Sequence, residues 1–405
     1  MTTTFADEAE RVGADYRRAL AAVLGAGPEG IEPAAVAERF GVDTTLAWKL
    51  SRQVSAPNGL DVFRHMPGPS ALRGLSGRAG DAGLPREAIA AFGLAVDAYQ
   101  DLVRRHAGSR RAFDVLVAGQ LAGRAGDEPE TRLELDLRRA GFESSAFVQG
   151  VKVHTHFAAM VLAPADGWIN LTVLRGAMGL QRLRPSAMWR VSHTTKMVRP
   201  GTPAPGSTTD VVMRPIDPDW SGDGLPLVSA FSTCTNDEFR QTEASDELVE
   251  YALRPGEVGD EAAMDVVFGE RIDRARPVSA AEAGMRELTH IGGIKTPCER
   301  VVYDALVHES LFESAVPTVD AYSTIFARPG VAISETDALP LRPIIEQRGR
   351  GLDGLALSGC PRHVALLRYA LAQTGVEESS LIASRIVIAF PPVPMTLKLV
   401  WVRPA

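Results

Sequence analysis

Apolar residues recur at helical spacing near the start of the chain: Val12, Tyr16, Leu20, Val23 and Leu24 share one face, and GAGPEG (25–30) supplies a stop and a turn. The next run, VAERFGVDTTLAWKLSRQV (36–54), divides into two short helices at Gly41. Pro33 suits the first helical position of the first, where its missing N–H is not needed. Val36 and Phe40 face inward, the small Ala37 marks a crossing, and Val42 fills the corner. Asp43 or Thr44 can cap the second helix, whose buried stripe is Ala47, Leu50 and Val54. Residues 56–85 carry Pro and Gly densely, which favours turns and short helices, and REAIAAFGLAVDAYQDLVRRHAG (86–108) is again an amphipathic helix ended by Gly108.

From residue 112 the pattern changes. AFDVLVAG, FVQGVKVHTHFAAMVLAP, GWINLTVLRG, TTDVVMRP, SRIVIAF and MTLKLVWVRP read as strands bounded by Gly, Pro and Asp. Helical patterns lie among them, in PETRLELDLRRAG, SAAEAGMRELTHIG and RHVALLRYALAQTG, without strict strand-helix alternation, so the fold class expected is α+β. The expected division is a helical region at 1–108 and a larger mixed α+β domain at 109–405. RPGTPAPGST (199–208) and DPDWSGDGLP (217–226) read as mobile loops. The apolar C-terminal end, two β runs joined by PPVP, belongs in a sheet core or a subunit interface.

Composition narrows the class. No window approaches the ~18 consecutive apolar residues of a spanning helix, and the N-terminal residues lack a secretory pattern, so a cytoplasmic protein without a membrane partner is expected. Cys234, Cys298 and Cys360 form no CxxC pair, which argues against a disulfide framework or zinc knuckle. A formal net charge of −7 excludes a general nucleic-acid coat, yet residues 44–78 carry Lys49, Arg52, Arg64, Arg73 and Arg78 against the single acid Asp61.

The second short helix is read as presenting Thr44, Thr45, Trp48, Lys49, Arg52 and Gln53, able to meet phosphates and base edges in a major groove. Over residues 33–54 the chain resembles the helix-turn-helix class of bacterial transcriptional regulators, whose first helix reads AxxxGV. The resemblance implies double-stranded DNA as partner, a homo-oligomer, and a C-terminal domain that senses a small-molecule ligand or mediates assembly. Trp48 is bulky for a base-reading position, and packing it on the next helix would turn that face away from DNA.

Other chemistry is sparser. Alternation in VKVHTHFAAMVL places His154 and His156 on one strand face, where His193 or Asp166 would complete a metal site; a metal-dependent enzyme is one alternative. A self-assembling structural protein that uses the helical hairpin for protein contacts is another. Arg182, Arg184 and Arg190 can grip an anion or form ordinary ion pairs, and Cys234 has no neighbour in sequence that would activate it. IGGIKTP lacks phosphate-loop spacing, and no dinucleotide, nucleophile-elbow or zincin motif occurs, so no catalytic residue and no cofactor is assigned.

Overall fold

A computed structural model describes residues 4–27, 30–122, 132–194, 196–198, 210–220, 224–244, 248–279, 286–325, 333–341 and 343–404. The architecture is α+β: helices come first and a large sheet region follows. Two compact units divide at Glu134, later than the boundary expected at 108.

The first unit contains α1 (Phe5–Leu24), α2 (Pro33–Phe40), α3 (Thr44–Val54), a 3-10 turn (Leu60–His65), α4 (Pro69–Asp81), α5 (Arg86–His106) and α6 (Arg110–Ala122). Its core includes the stripe Val12, Tyr16, Leu20, Val23 and Leu24 of α1, together with Phe63, Phe92, Tyr99 and Phe113. Helix α6 corrects a sequence expectation, because AFDVLVAG is helical. Its Phe113, Val117 and Leu121 recur every four residues and bury one face, which outweighs the strand preference of its valines. Close backbone contact fixes α1 to the residues before the 3-10 turn: a Cβ on Gly13 would fall 1.9 Å from the Gly59 carbonyl oxygen. The Glu10 carboxylate accepts hydrogen bonds from the backbone N–H groups of Gly59 (2.6 Å) and Leu60 (3.1 Å).

The second unit holds most of α7 (Arg132–Gln149) and then β1 (Val151–Ala165), β2 (Trp168–Arg182), β3 (Arg190–Thr194), β4 (Lys196–Val198), β5 (Asp210–Pro215), β6 (Phe239–Ala244), β7 (Leu248–Leu253), β8 (Met264–Pro277), β9 (Glu287–Ile294), β10 (Cys298–His308), β11 (Thr318–Ser323), β12 (Ile345–Arg350), α8 (His363–Thr374), β13 (Leu381–Ala389) and β14 (Met395–Val402). Eight strands form one sheet in the order β12-β13-β10-β1-β2-β8-β5-β4, with β1 and β10 parallel; β11-β14-β9 and β3-β7-β6 form two smaller sheets. One face of the large sheet packs Phe157, Val161, Val302 and Leu306 against Leu366, Leu367 and Ala370 of α8. The other face joins Met160, Phe268 and Tyr303 to Leu397, Leu399 and Trp401 of β14. The C-terminal segment is therefore core, as its apolar pattern anticipates. RELTHIG is strand β9, not helix, because it pairs along β14 from Glu287 to Ile294. The proposed loop 199–208 lies outside the described residues, as do 221–223 of the other one.

On the α8 side, Asp304 and Arg385 are direct cross-strand partners and both are buried. Arg385 donates to Asp304 through Nε (2.7 Å) and Nη2 (2.8 Å) and also to the carbonyls of Leu355 and Ala356. His363 Nε2 lies 2.6 Å from Asp304 Oδ2. The carboxylate is thus satisfied from two directions, the condition under which a buried charge is tolerated.

Candidate functional site

The hairpin at Gly41 is built as its sequence requires. Gly41 ends α2 at φ +57°, a left-handed conformation in which a Cβ is disfavoured, and its N–H returns to the Ala37 carbonyl. Asp43 then caps α3 by accepting from the Leu46 N–H at 2.9 Å. Val36, Phe40, Val42, Ala47 and Leu50 are all buried.

The outer face of α3 differs from expectation at one residue. Thr44, Thr45, Trp48 and Arg52 are exposed and Lys49 is half-buried, but Gln53 is 0% exposed. Its amide donates to the Val62 carbonyl at 3.2 Å and contacts Met66 Sδ, while its oxygen accepts from Tyr16 Oη at 3.4 Å. Gln53 is therefore an internal tie, unable to reach a groove, because α3 is enclosed on that flank by α1 and by the 3-10 turn. Ser51 is likewise buried and donates to the Ile31 carbonyl.

Trp48 retains 42% exposure. The His65 ring meets it edge-on at 5.0 Å, and the Arg52 guanidinium lies 5.6 Å from its ring centre. The indole is thus partly folded back onto the 3-10 turn and leaves the outer face in place. Lys49 and Arg52 have no carboxylate partner among the described residues, whereas Arg64 pairs with Asp61 at 2.8 Å. The electrostatic consequence falls on His65: burial lowers its pKa most, and Arg52, Arg64 and Lys49 lower it further, against Asp61.

The second unit disperses the other candidates. The ladders on both sides of β1 omit His154, opposite Gly179 at φ +63°. Alternation slips there, and the two histidines part. The His154 ring lies against the Gly359 loop, with Nδ1 3.0 Å from Thr155 Oγ1, while His156 is on the β14-facing side, within the field of Arg175. Asp166 occupies the β1–β2 turn at φ +52°, about 33 Å along the strand from His156. His193 is in β3 opposite Val249, and its side chain lies outside the described residues. Among the described residues no three His, Cys, Asp or Glu side chains are grouped to hold a metal.

The arginines of GLQRLRPSAMWR have structural partners. Arg182 is buried and bonds Glu238 (2.8 Å) and the Arg254 carbonyl; Arg184 donates to the Phe147 and Val148 carbonyls at the end of α7; Arg190 pairs with Glu250. Arg182 and Cys234 share the wall of a cavity of about 490 Å³, but burial pushes the Cys234 thiol up to about 11, so it is not a poised nucleophile. None of the described helices is long and apolar enough to cross a membrane. No family model matches the chain, and no curated protein matches it.

Proposed function

We propose that this protein is a DNA-binding transcriptional regulator, cytoplasmic and oligomeric, in which α3 is the recognition helix and the sheet unit supplies ligand sensing or assembly. The observation that carries this reading is the outer face of α3, where Lys49 and Arg52 stand without carboxylate partners among the described residues, beside exposed Thr44 and Thr45. In such a docking the two cations position the helix on phosphates and the two hydroxyls, near its N-terminus, read base edges. Gln53 has no part in it, and Trp48 with His65 forms a shoulder that meets the backbone. The direct test is selection of duplexes from a random pool by the purified full chain. Enrichment of a defined sequence supports the reading, and a pool that stays random at low salt overturns it.

A further inference from the structure

One row of directly opposed residues crosses the large sheet: Ile386, Tyr303, Ala158, Arg175 and Phe268. Neighbouring strands are about 4.8 Å apart, so a single methyl group stands between a phenol and a guanidinium. Ala158 is on a central strand, yet it is only half-buried, as are His156, His290 and Gly292 around it. The Arg175 side chain is 35% exposed. These residues therefore line a solvent-reached pit over Ala158. His290 of β9 reaches its Tyr303 side with ring centres 5.8 Å apart, and a Cβ on Gly292 would stand 3.0 Å from the Tyr303 ring.

The lining is polar where a core would be apolar. Tyr303 is 3% exposed, and its hydroxyl is buried without a hydrogen-bond partner among the described residues. Native structures satisfy nearly all such groups, so an orphan hydroxyl beside a pit indicates a missing partner. Among the described residues Arg175 makes one long hydrogen bond, 3.5 Å, from Nη1 to the buried Glu270 carboxylate, and its guanidinium lies 5.9 Å from the Phe268 ring centre. His156 and His290 are held down to about 4, by burial first and then by Arg175, so both rings are neutral near pH 7 and each offers one N–H. Guanidinium, phenol and two neutral imidazoles can all donate, and the Glu270 carboxylate is buried. With Glu270 offsetting part of the Arg175 charge, a monoanion is matched better than a dianion.

We propose that the pit over Ala158 binds a small monocarboxylate, its oxygens held by Arg175 and Tyr303 Oη with His156 and His290 as flanking donors. Binding here does not depend on α3 meeting DNA; only its use as a regulatory input rests on the regulator reading. The test is calorimetric titration of the full chain at pH 7 with acetate, propanoate and pyruvate, with propanamide and inorganic phosphate as comparison probes. Saturable one-site binding by a monocarboxylate, absent with propanamide, is expected. Tyr303→Phe removes only a hydroxyl that has no hydrogen-bond partner among the described residues, so it leaves the melting temperature unchanged or raised while weakening carboxylate binding tenfold or more. Arg175→Gln abolishes the binding. Absence of saturable binding by all three carboxylates, equal binding of propanamide, tighter binding of phosphate, or unchanged affinity in Tyr303→Phe would overturn the assignment.

Discussion

Replacing both Lys49 and Arg52 by alanine tests whether α3 touches a phosphate backbone. Neither residue has an ion-pair partner within the protein among the described residues, so the double variant folds, with stability changed by about 0.5 kcal/mol or less per site. If each cation neutralises one phosphate, the slope of log K against log salt becomes shallower by about 1.8, at about 0.9 per contact. Between about 50 and 200 mM salt, wild-type affinity then falls roughly twelvefold more than that of the variant. The assay is fluorescence anisotropy with a selected duplex at four or more salt concentrations, with Arg73→Ala on the exposed surface of α4 as a comparison. Equal slopes for wild type and double variant would refute a backbone contact by α3. A parallel drop in affinity without a change of slope would place both residues outside the phosphate contact.

Further outcomes follow from the same geometry. His65 is neutral in the free protein because burial and its cationic neighbours lower its pKa; phosphate beside it favours the charged ring, so docking takes up a proton and affinity rises as pH falls below 7. His65→Gln removes that pH dependence, and wild-type affinity independent of pH would contradict it. Gly41→Ala places a Cβ where no atom lies within 4 Å, so its cost is backbone strain alone, about 1–2 kcal/mol by urea unfolding; an unchanged midpoint rules out the left-handed turn. Arg385→Met leaves Asp304 buried with His363 as its remaining side-chain partner and costs about 3–5 kcal/mol, read as a drop in the melting temperature of the sheet unit. Deleting residues 396–405 removes Leu397, Leu399 and Trp401 from the core, and a soluble product with unchanged melting is the result that defeats this assignment.

The legible parts of the chain are those where burial follows local periodicity. The stripe of α1, the turn at Gly41 and the inward residues of α2 and α3 are readable because the helical repeat and one positive-φ glycine determine them. AFDVLVAG misleads because its valines favour strand while the four-residue repeat of Phe113, Val117 and Leu121 prevails. Gln53 is a polar residue whose partners, Tyr16, Val62 and Met66, come from other elements, so nothing within α3 marks it as internal. Likewise, alternation places His154 and His156 together, and only the positive φ of Gly179 across the ladder reveals their separation. The pit over Ala158 gathers side chains from β1, β2, β9 and β10, whose register no local pattern specifies.

The contact of Gly13 with Gly59, reinforced by the Glu10 carboxylate and by the Gln53 tie, has a bearing on how any signal reaches α3. Those backbone and carboxylate contacts clasp the start of the 3-10 turn to α1, while α3 is tied to α1 and the turn through the buried Gln53 amide and to the Ile31 carbonyl through Ser51. Tilting α3 by itself would break the Gln53 and Ser51 hydrogen bonds while the clasp between α1 and the turn stayed closed. On the regulator reading, relocating the helical unit as one body, or changing how many copies present it together, costs none of these contacts.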